Sequence, residues 1–144
     1  MRVAVSGCFD PIHAGHISLL KEASKFGSVI VILKGDERTK RKKIPLMLAH
    51  ERAEIMRAIK YVDEVIIYDN KDKHHDDFSE ALEIIKPDIY CAGSDRKNAG
   101  DIPYIYKVCK RLKIEIKYNV GGDKISSSSE ILKTYVTHLS NTTK

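Results

Sequence analysis

The sequence has few cysteines and no long apolar run, and each shortage excludes a class of protein. Its three cysteines, Cys8, Cys91 and Cys109, are an odd number without close pairs or metal-ligand spacing. This pattern argues against a disulfide scaffold and favours a reducing compartment. No apolar run approaches the ~18 residues that a membrane span needs. The first residues also lack the apolar core and cleavage site of a secretion signal, so we expect a cytoplasmic protein without membrane contact.

The excess of positive charge is small. Twenty-five Lys and Arg against 20 Asp and Glu leave a net charge of +5, which favours anionic ligands such as phosphates. The hydrophobic fraction of 42% is too high for intrinsic disorder, and 144 residues are typical of one domain. We assign residues 1–140 to that domain. The end of the polar stretch Thr137–Lys144, residues 141–144, is expected to be a frayed tail.

Short β-rich runs alternate with amphipathic segments along the chain. The predicted strands are Arg2–Ser6, Val29–Leu33, Glu64–Tyr68, Asp88–Ala92 and Ile114–Tyr118. The predicted helices are His16–Phe26, Leu48–Ile59, Asp77–Ile85, Pro103–Leu112 and a last one that begins at the serine run. This alternation predicts an α/β fold: a single Rossmann-like, doubly wound domain whose five-stranded parallel sheet has helices on both faces. Ligands of such sheets bind beyond the carboxyl ends of the strands.

The segment after the first strand carries the strongest chemical signal. Gly7 permits a tight turn or a close ligand approach, and Gly15 lets a ligand lie against the start of the next helix. His13 and His16 are three residues apart, so they project from one face of that helix start. Backbone N–H groups and the helix dipole already favour an anion there, and two imidazoles add hydrogen-bond donors for a phosphate.

Two other interpretations of this histidine pair stay open. The imidazoles could ligate a metal, with Asp10 as a third ligand, or they could do no more than cap the helix. The cluster His74–Asp77 also has metal-binding residue types. Because adjacent side chains in a polar loop rarely converge, we expect it to be solvated surface.

The run from Gly7 to His16 resembles the H-x-G-H signature of the cytidylyltransferase-like nucleotidyltransferases. That superfamily includes glycerol-3-phosphate and phosphoethanolamine cytidylyltransferases, archaeal-type FAD synthetases and the adenylyltransferase that makes ADP-heptose for lipopolysaccharide core. The stretch Lys124–Ser128 resembles the second family signature, G-I-S-T-T. The resemblance spans nearly the whole chain, because the order of strands and motifs also agrees.

The resemblance implies transfer of a nucleoside monophosphate from CTP or ATP to a small phosphorylated acceptor, with release of pyrophosphate. The acceptor would be a sugar phosphate such as heptose 1-phosphate, or a polyol or alcohol phosphate. His13, His16 and Lys43 would be the catalytic residues. The implied nucleotide-binding residues are Gly7, Cys8, Phe9, Asp10, Gly15, Lys40, Arg41, Arg52, Gly93, Asp95, Ile125, Ser126, Ser127 and Ser128. Asp10 and Arg96 would contact the acceptor. Mg²⁺ would enter with the triphosphate, no protein-bound metal is predicted, and a homodimer is expected.

Two features have blander explanations. The segment Lys34–Lys43 holds six cations in ten residues, which is the pattern of a solvated charge run. It could also bind nucleic acid, although it lacks interleaved aromatic residues for base stacking, and the resemblance instead directs its lysines to the β- and γ-phosphates. The serines could form a flexible linker or a helix cap.

One departure from the family motivates an alternative function. Many relatives carry an arginine shortly before the second signature, whereas the stretch Val120–Lys124 contains none. Lys124 offers a point charge instead of a bidentate fork. The alternative to an active enzyme is therefore a non-catalytic, nucleotide-binding paralogue.

Overall fold

A computed structural model of the chain describes residues 1–70, 72–122 and 127–142. The strands are β1 (Arg2–Gly7), β2 (Ser28–Lys34), β3 (Glu64–Tyr68), β4 (Ile89–Cys91) and β5 (Glu115–Lys117). The helices are α1 (Ala14–Ser24), α2 (Asp36–Lys40), α3 (Ala49–Arg57), α4 (Ser79–Ile85), α5 (Pro103–Leu112) and α6 (Ser128–Thr142), with a 3₁₀ turn at Ala99–Asp101.

All the paired strands run parallel, in the order β3-β2-β1-β4-β5. The central strands β1 and β2 are continuous apolar runs because helices cover both of their faces. Val3 and Val5 pack with α1 and α3 on one face, while Ala4 packs with α4 and α5 on the other. The predicted doubly wound fold is confirmed. Its strand order reverses between β1 and β4, which is where a ligand is expected.

Two helical segments differ from the predictions. The helix α2 was not expected, because its sequence DERTK has no apolar periodicity. A distant residue stabilises its N-terminus: the Asp69 carboxylate accepts the backbone N–H groups of Glu37 and Arg38, at 3.1 and 3.0 Å. Residues 141–144 were expected to be a frayed tail, but α6 continues to Thr142. No Gly or Pro interrupts that stretch, so nothing in its sequence breaks the helix.

The described helices also bear on membrane contact. None of them is both long and apolar enough to cross a bilayer.

Candidate active site

A cleft of about 890 Å³ opens at the carboxyl ends of the central strands, at the predicted reversal point. Most of the predicted site residues line it: Gly7, Cys8, Phe9, His13, Gly15, His16, Gly93, Asp95, Arg96, Ser127 and Ser128. They come from three separate parts of the chain, namely the β1–α1 loop, the turn after β4 and the start of α6. Only the folding of the sheet brings these three parts together.

His13 and His16 cap the start of α1 reciprocally. Nδ1 of His13 accepts the backbone N–H of Gly15 at 3.1 Å, and Nδ1 of His16 accepts the backbone N–H of His13 at 3.2 Å. The two rings stack with their centroids 3.7 Å apart. A ring nitrogen that accepts a hydrogen bond carries no proton, so each imidazole carries its proton on Nε2. The capping contacts are therefore present, and both histidines also line the cleft beside the N-terminus of α1.

His16 is held in its neutral form. Burial, then the nearby charges of His13 and Lys43, lower the pKa of His16 from 6.5 to about 3. The edge of the Phe9 ring packs on its imidazole, with centroids 4.7 Å apart. Phe9 is able to reach this position because it adopts a left-handed backbone with φ of 51°. The unusual turn expected at Gly7 is thus made by Phe9, and a Cβ on Gly7 would lie 3.1 Å from the Phe9 ring.

Asp10 is placed differently from the prediction. Its side chain is fully buried, and its two carboxylate oxygens accept the backbone N–H groups of Leu46 and Met47 at 2.7 and 3.1 Å. A carboxylate enclosed in this way cannot contact a nucleotide or an acceptor. Asp10 instead fastens the β1–α1 loop to the chain that precedes α3. The metal interpretation of His13 and His16 loses its proposed third ligand for the same reason.

Arg52 is also buried, with 1% of its surface exposed. This position differs from the prediction that Arg52 contacts the nucleotide directly. Its guanidinium donates to the carbonyls of Cys8 and Lys34, at 2.9 and 2.8 Å, and to that of Met47 at 2.9 Å. It also pairs with the Asp36 carboxylate at 3.1 Å. Arg52 therefore ties the ends of β1 and β2 together from behind the cleft.

The basic segment Lys34–Lys43 divides between the interior, the cleft and the solvent. Lys40 is exposed and pairs with Glu37 at 3.4 Å, and Arg41 donates to the carbonyl of Lys73, so the structure does not bring either residue to the cleft. Lys43 donates to the Asp10 carbonyl, close enough to His16 to affect its pKa. Lys42 lines the cleft, although it was not singled out from the sequence.

Arg38 and Lys34 contradict the expectation of a solvated charge run, because both are buried. The Arg38 guanidinium lies between the rings of Tyr68 and Phe78, 5.0 and 5.1 Å from their centroids. It donates to three backbone carbonyls of the β3–α4 segment, those of Asn70, His74 and Asp77. Since two of the six cations are interior, the segment is not a continuous basic surface for nucleic acid.

Lys34 is a cleft residue that sequence reasoning missed. It ends an apolar strand, and its ammonium is 2.9 Å from the Asp76 carboxylate and 3.5 Å from Nδ1 of His75. A lysine at the carboxyl end of a central buried strand was the available signal, but it was counted with the charge run that follows it.

The His74–Asp77 cluster converges more than expected. Side-chain ligand atoms of His74, His75 and Asp76 all lie within 4.8 Å of one another, and no other group of this kind occurs in the part of the chain that the structure describes. The expectation that these side chains would not converge was wrong, because Arg38 holds the backbone around them. The Lys34 ammonium, however, lies beside both His75 and Asp76, where it opposes a second cation.

The start of α6 reaches the β1–α1 loop. The Ser128 hydroxyl donates to the Pro11 carbonyl at 2.9 Å, and the Ser127 hydroxyl accepts the backbone N–H of Glu130 at 3.1 Å as a helix cap. Ser127 thus caps a helix and does not belong to a linker. The predicted residues Ile125 and Ser126, and Lys124 with them, lie outside the described residues.

The turn after β4 is a tight one, with the Arg96 N–H donating to the Gly93 carbonyl at 3.0 Å. It presents Asp95 and Arg96 to the cleft. His74 also lines the cleft, and its ring stacks on Tyr104 with centroids 4.9 Å apart. Tyr104 belongs to α5 and was not predicted as a site residue.

Comparisons with known proteins identify relatives of this chain. A family model for cytidylyltransferase-like proteins matches residues 4–134. FAD synthase of Pyrococcus horikoshii is 40% identical over 127 residues, which cover 74% of this chain and 83% of that protein. FAD synthase of Thermococcus kodakarensis is 37% identical over 129 residues, which cover 87% and 78%. Bifunctional protein HldE of Koribacter versatilis is 35% identical over 102 residues, 68% of this chain and 20% of that protein.

A solved structure shares the fold. The lipopolysaccharide core biosynthesis protein from Thermoplasma volcanium matches with a TM-score of 0.68 at 28% identity, covering 86% of this chain and 98% of that one. The family model spans the histidine pair, the basic segment and the start of α6 in one continuous match. The chain therefore belongs to the cytidylyltransferase-like family of nucleotidyltransferases.

Proposed function

We propose that this chain transfers AMP from ATP to the phosphate of FMN, forming FAD and pyrophosphate. The observation that carries the transfer chemistry is the reciprocal histidine cap, which places the imidazoles of His13 and His16 in the cleft lining at a helix N-terminus. The choice of ATP and FMN is supported by relatives named FAD synthase at 37% and 40% identity. CTP and other acceptors are the competing choices within the same chemistry.

The reaction requires little acid–base work. A phosphate oxygen of the acceptor attacks the α-phosphorus of the triphosphate, and the bond from that phosphorus to the bridging oxygen breaks to release pyrophosphate. His13 and His16 donate hydrogen bonds to the negative charge that develops at the α-phosphate. Because the pKa of His16 is about 3, its imidazole is neutral near pH 7 and acts as a hydrogen-bond donor. It does not act as a general acid. Positioning and charge stabilisation therefore supply the catalysis.

Magnesium fits this cleft as an ion carried by the triphosphate. Mg²⁺ is usually held by one or two carboxylates together with substrate phosphates, and Asp95 and Glu130 both line the cleft. Bound there, the ion would neutralise phosphate charge. Asp95 and Glu130 are the residues we expect to hold it.

Aromatic rings in the cleft lining support an aromatic acceptor. His74 and Tyr104 both line the cleft with exposed, stacked rings, beside the buried apolar residues Phe78, Ile102 and Ile105. A flat ring system would stack on these exposed rings, and this stacking favours an aromatic acceptor over a sugar.

A sugar phosphate is the second candidate acceptor. The solved structure from Thermoplasma volcanium, a lipopolysaccharide core biosynthesis protein, supports it, as does the match to HldE. Heptose 1-phosphate is the acceptor of this class that the family resemblance implies. A homodimer remains a prediction, which sedimentation would test.

Pyrophosphate release tests the proposal. ATP, CTP, GTP and UTP are each combined with FMN, a hexose or heptose 1-phosphate and glycerol 3-phosphate, with Mg²⁺ present. We expect pyrophosphate release with the pair ATP and FMN and with no other pair, and we expect chromatography to detect FAD in that reaction. Release with a sugar phosphate but not with FMN would select the second candidate. If no pair releases pyrophosphate, the non-catalytic alternative motivated by the missing arginine takes its place.

A further inference from the structure

Lys34 is a buried cation at the floor of the cleft. Its side chain is 9% exposed and lies on the face of the sheet covered by α4 and α5, with Nζ 6.0 Å from the centroid of the Phe78 ring. A buried ammonium needs an anion nearby, since removing its hydration is costly. Among the described residues, only the Asp76 carboxylate forms an ion pair with Lys34, at 2.9 Å. Asp76 therefore supplies the negative charge for the buried cation, while Nδ1 of His75 is a longer, uncharged contact at 3.5 Å.

Asp76 is much more exposed to solvent than Lys34. The side chain of Asp76 is 44% exposed, and it lies in the β3–α4 segment outside any helix or strand. A carboxylate in that position regains water when it separates from the ammonium. Lys34 belongs to a central strand and has no comparable route to solvent. Of the two charges, Asp76 is thus the one that another anion could replace.

A phosphate has the properties of a stronger replacement. It carries more negative charge than a carboxylate and offers three acceptor oxygens, so it forms stronger charge-assisted hydrogen bonds. Burial lowers the pKa of Lys34, and the hydrogen bond to Asp76 opposes that effect. Lys42 lines the same cleft and adds a second positive charge for an incoming dianion.

We propose that Lys34 binds the phosphate of the acceptor, and that Asp76 holds the ammonium only until this phosphate replaces it. The inference rests on the proposed function for the identity of the acceptor as a phosphate ester. Lys34 lies on the opposite face of the sheet from α1, whose N-terminus carries the two histidines. The acceptor phosphate is therefore held from one side and the triphosphate from the other.

Two substitutions should change phosphate affinity in opposite directions. Inorganic phosphate serves as the probe, titrated into the full chain by calorimetry, because it requires no particular acceptor body. Lys34→Met removes the cation and should weaken phosphate binding at least tenfold. Asp76→Asn removes the competing anion while keeping its shape, and it should tighten binding at least threefold. Lys34→Arg keeps the charge and should stay within threefold of the wild type.

Lys25→Met is the matched control. Lys25 pairs with Glu22 at the same 2.9 Å, but that pair is exposed at the end of α1, away from the cleft lining. Its substitution should leave phosphate affinity within twofold of the wild type. If Lys34→Met and Asp76→Asn both weaken binding, the pair is structural and the proposal is overturned. It is also overturned if neither substitution matters, or if the wild type binds no phosphate.

The outcome separates this proposal from the proposed function. Opposite shifts in phosphate affinity without FAD formation would leave Lys34 as a phosphate-binding residue and reject FMN as the acceptor. FAD formation together with unchanged phosphate affinity in Lys34→Met would support FMN as the acceptor and reject Lys34 as a phosphate-binding residue. Circular dichroism of each variant confirms that the fold is retained, and Asp76→Asn provides the test if Lys34→Met does not fold.

Discussion

The β1–α1 segment and the segment that follows β2 both leave a buried central strand, yet they place their polar groups by different means. In the first, ring nitrogens accept backbone N–H groups two and three positions away. In the second, Lys34 and Arg38 find partners 32 to 42 residues away along the chain. Local hydrogen bonds make a motif's spacing a reliable guide to its geometry. Distant partners decide which of several similar cations faces a ligand.

The largest expected effect is on stability and comes from the second segment. Arg38→Met should lower the free energy of unfolding by about 3 kcal/mol, since it leaves three carbonyls of the β3–α4 segment without their donor. The midpoint of thermal unfolding should fall by roughly 10 °C. Denaturant unfolding measures the free energy of unfolding of Arg38→Met and of Arg38→Lys. The comparison shows how much of the lost stability comes from the guanidinium group and how much from the positive charge. A change below about 1 kcal/mol would show that Arg38 does not hold this segment.

The next effect is on turnover and comes from the first segment. His16→Ala should reduce kcat at least ~100-fold, the typical loss when one preorganised donor to a developing oxyanion is removed. His50→Ala, which changes an exposed histidine at the start of α3, is the matched control and should retain activity. Pyrophosphate release under saturating substrates measures both. Equal activity of the two variants would remove the imidazole from the mechanism.

The same histidine predicts a smaller effect of pH on stability. The pKa of His16 is about 3 in the folded chain and 6.5 in the unfolded chain. Between pH 3 and pH 6.5 the unfolded chain therefore binds one more proton at this group than the folded chain does. Stability should therefore fall as pH drops below 6.5, by about 1 kcal/mol from this group between pH 7 and pH 5.5. Comparing denaturant unfolding of the wild type and His16→Asn isolates the contribution. Parallel pH profiles would contradict the buried, neutral state of His16.

The smallest effect is expected for Lys40, the exposed cation of the second segment. Lys40→Met should change the free energy of unfolding by less than about 0.5 kcal/mol, since its pair with Glu37 is solvent-exposed. Turnover should change less than twofold. A tenfold loss of turnover would show that Lys40 reaches the phosphates, as the family resemblance implied, and that the two segments resemble each other more than the structure indicates.

Prediction from sequence succeeded where the controlling interactions are local. The strand Glu64–Tyr68 and the helix Pro103–Leu112 have the predicted bounds, because apolar periodicity and flanking turn residues determine them. It failed for α2, whose N-terminus is capped by Asp69 from the end of the next strand. For the site, the spacing predicted that His13 and His16 lie together at a helix start, and the structure places both of them in the cleft lining.

The buried residues mark the limit of such reasoning. Asp10 and Arg52 match family positions, but sequence carries no information on which side of a loop a side chain packs. In the folded chain both are enclosed by backbone groups from other segments. Their hydrogen bonds hold the backbone segments that form the cleft.

The sequence by itself determined the parallel α/β fold, the paired histidines at the start of α1 and the family. These depend on periodicity, on helix capping and on side chains within one helical turn of each other. Only the tertiary structure decided that Lys34 and Lys42 face the cleft, that Lys40 and Arg41 do not, and that Arg38 is interior. The physical reason is that a charged side chain needs a partner or water, and which of the two it meets depends on distant parts of the chain.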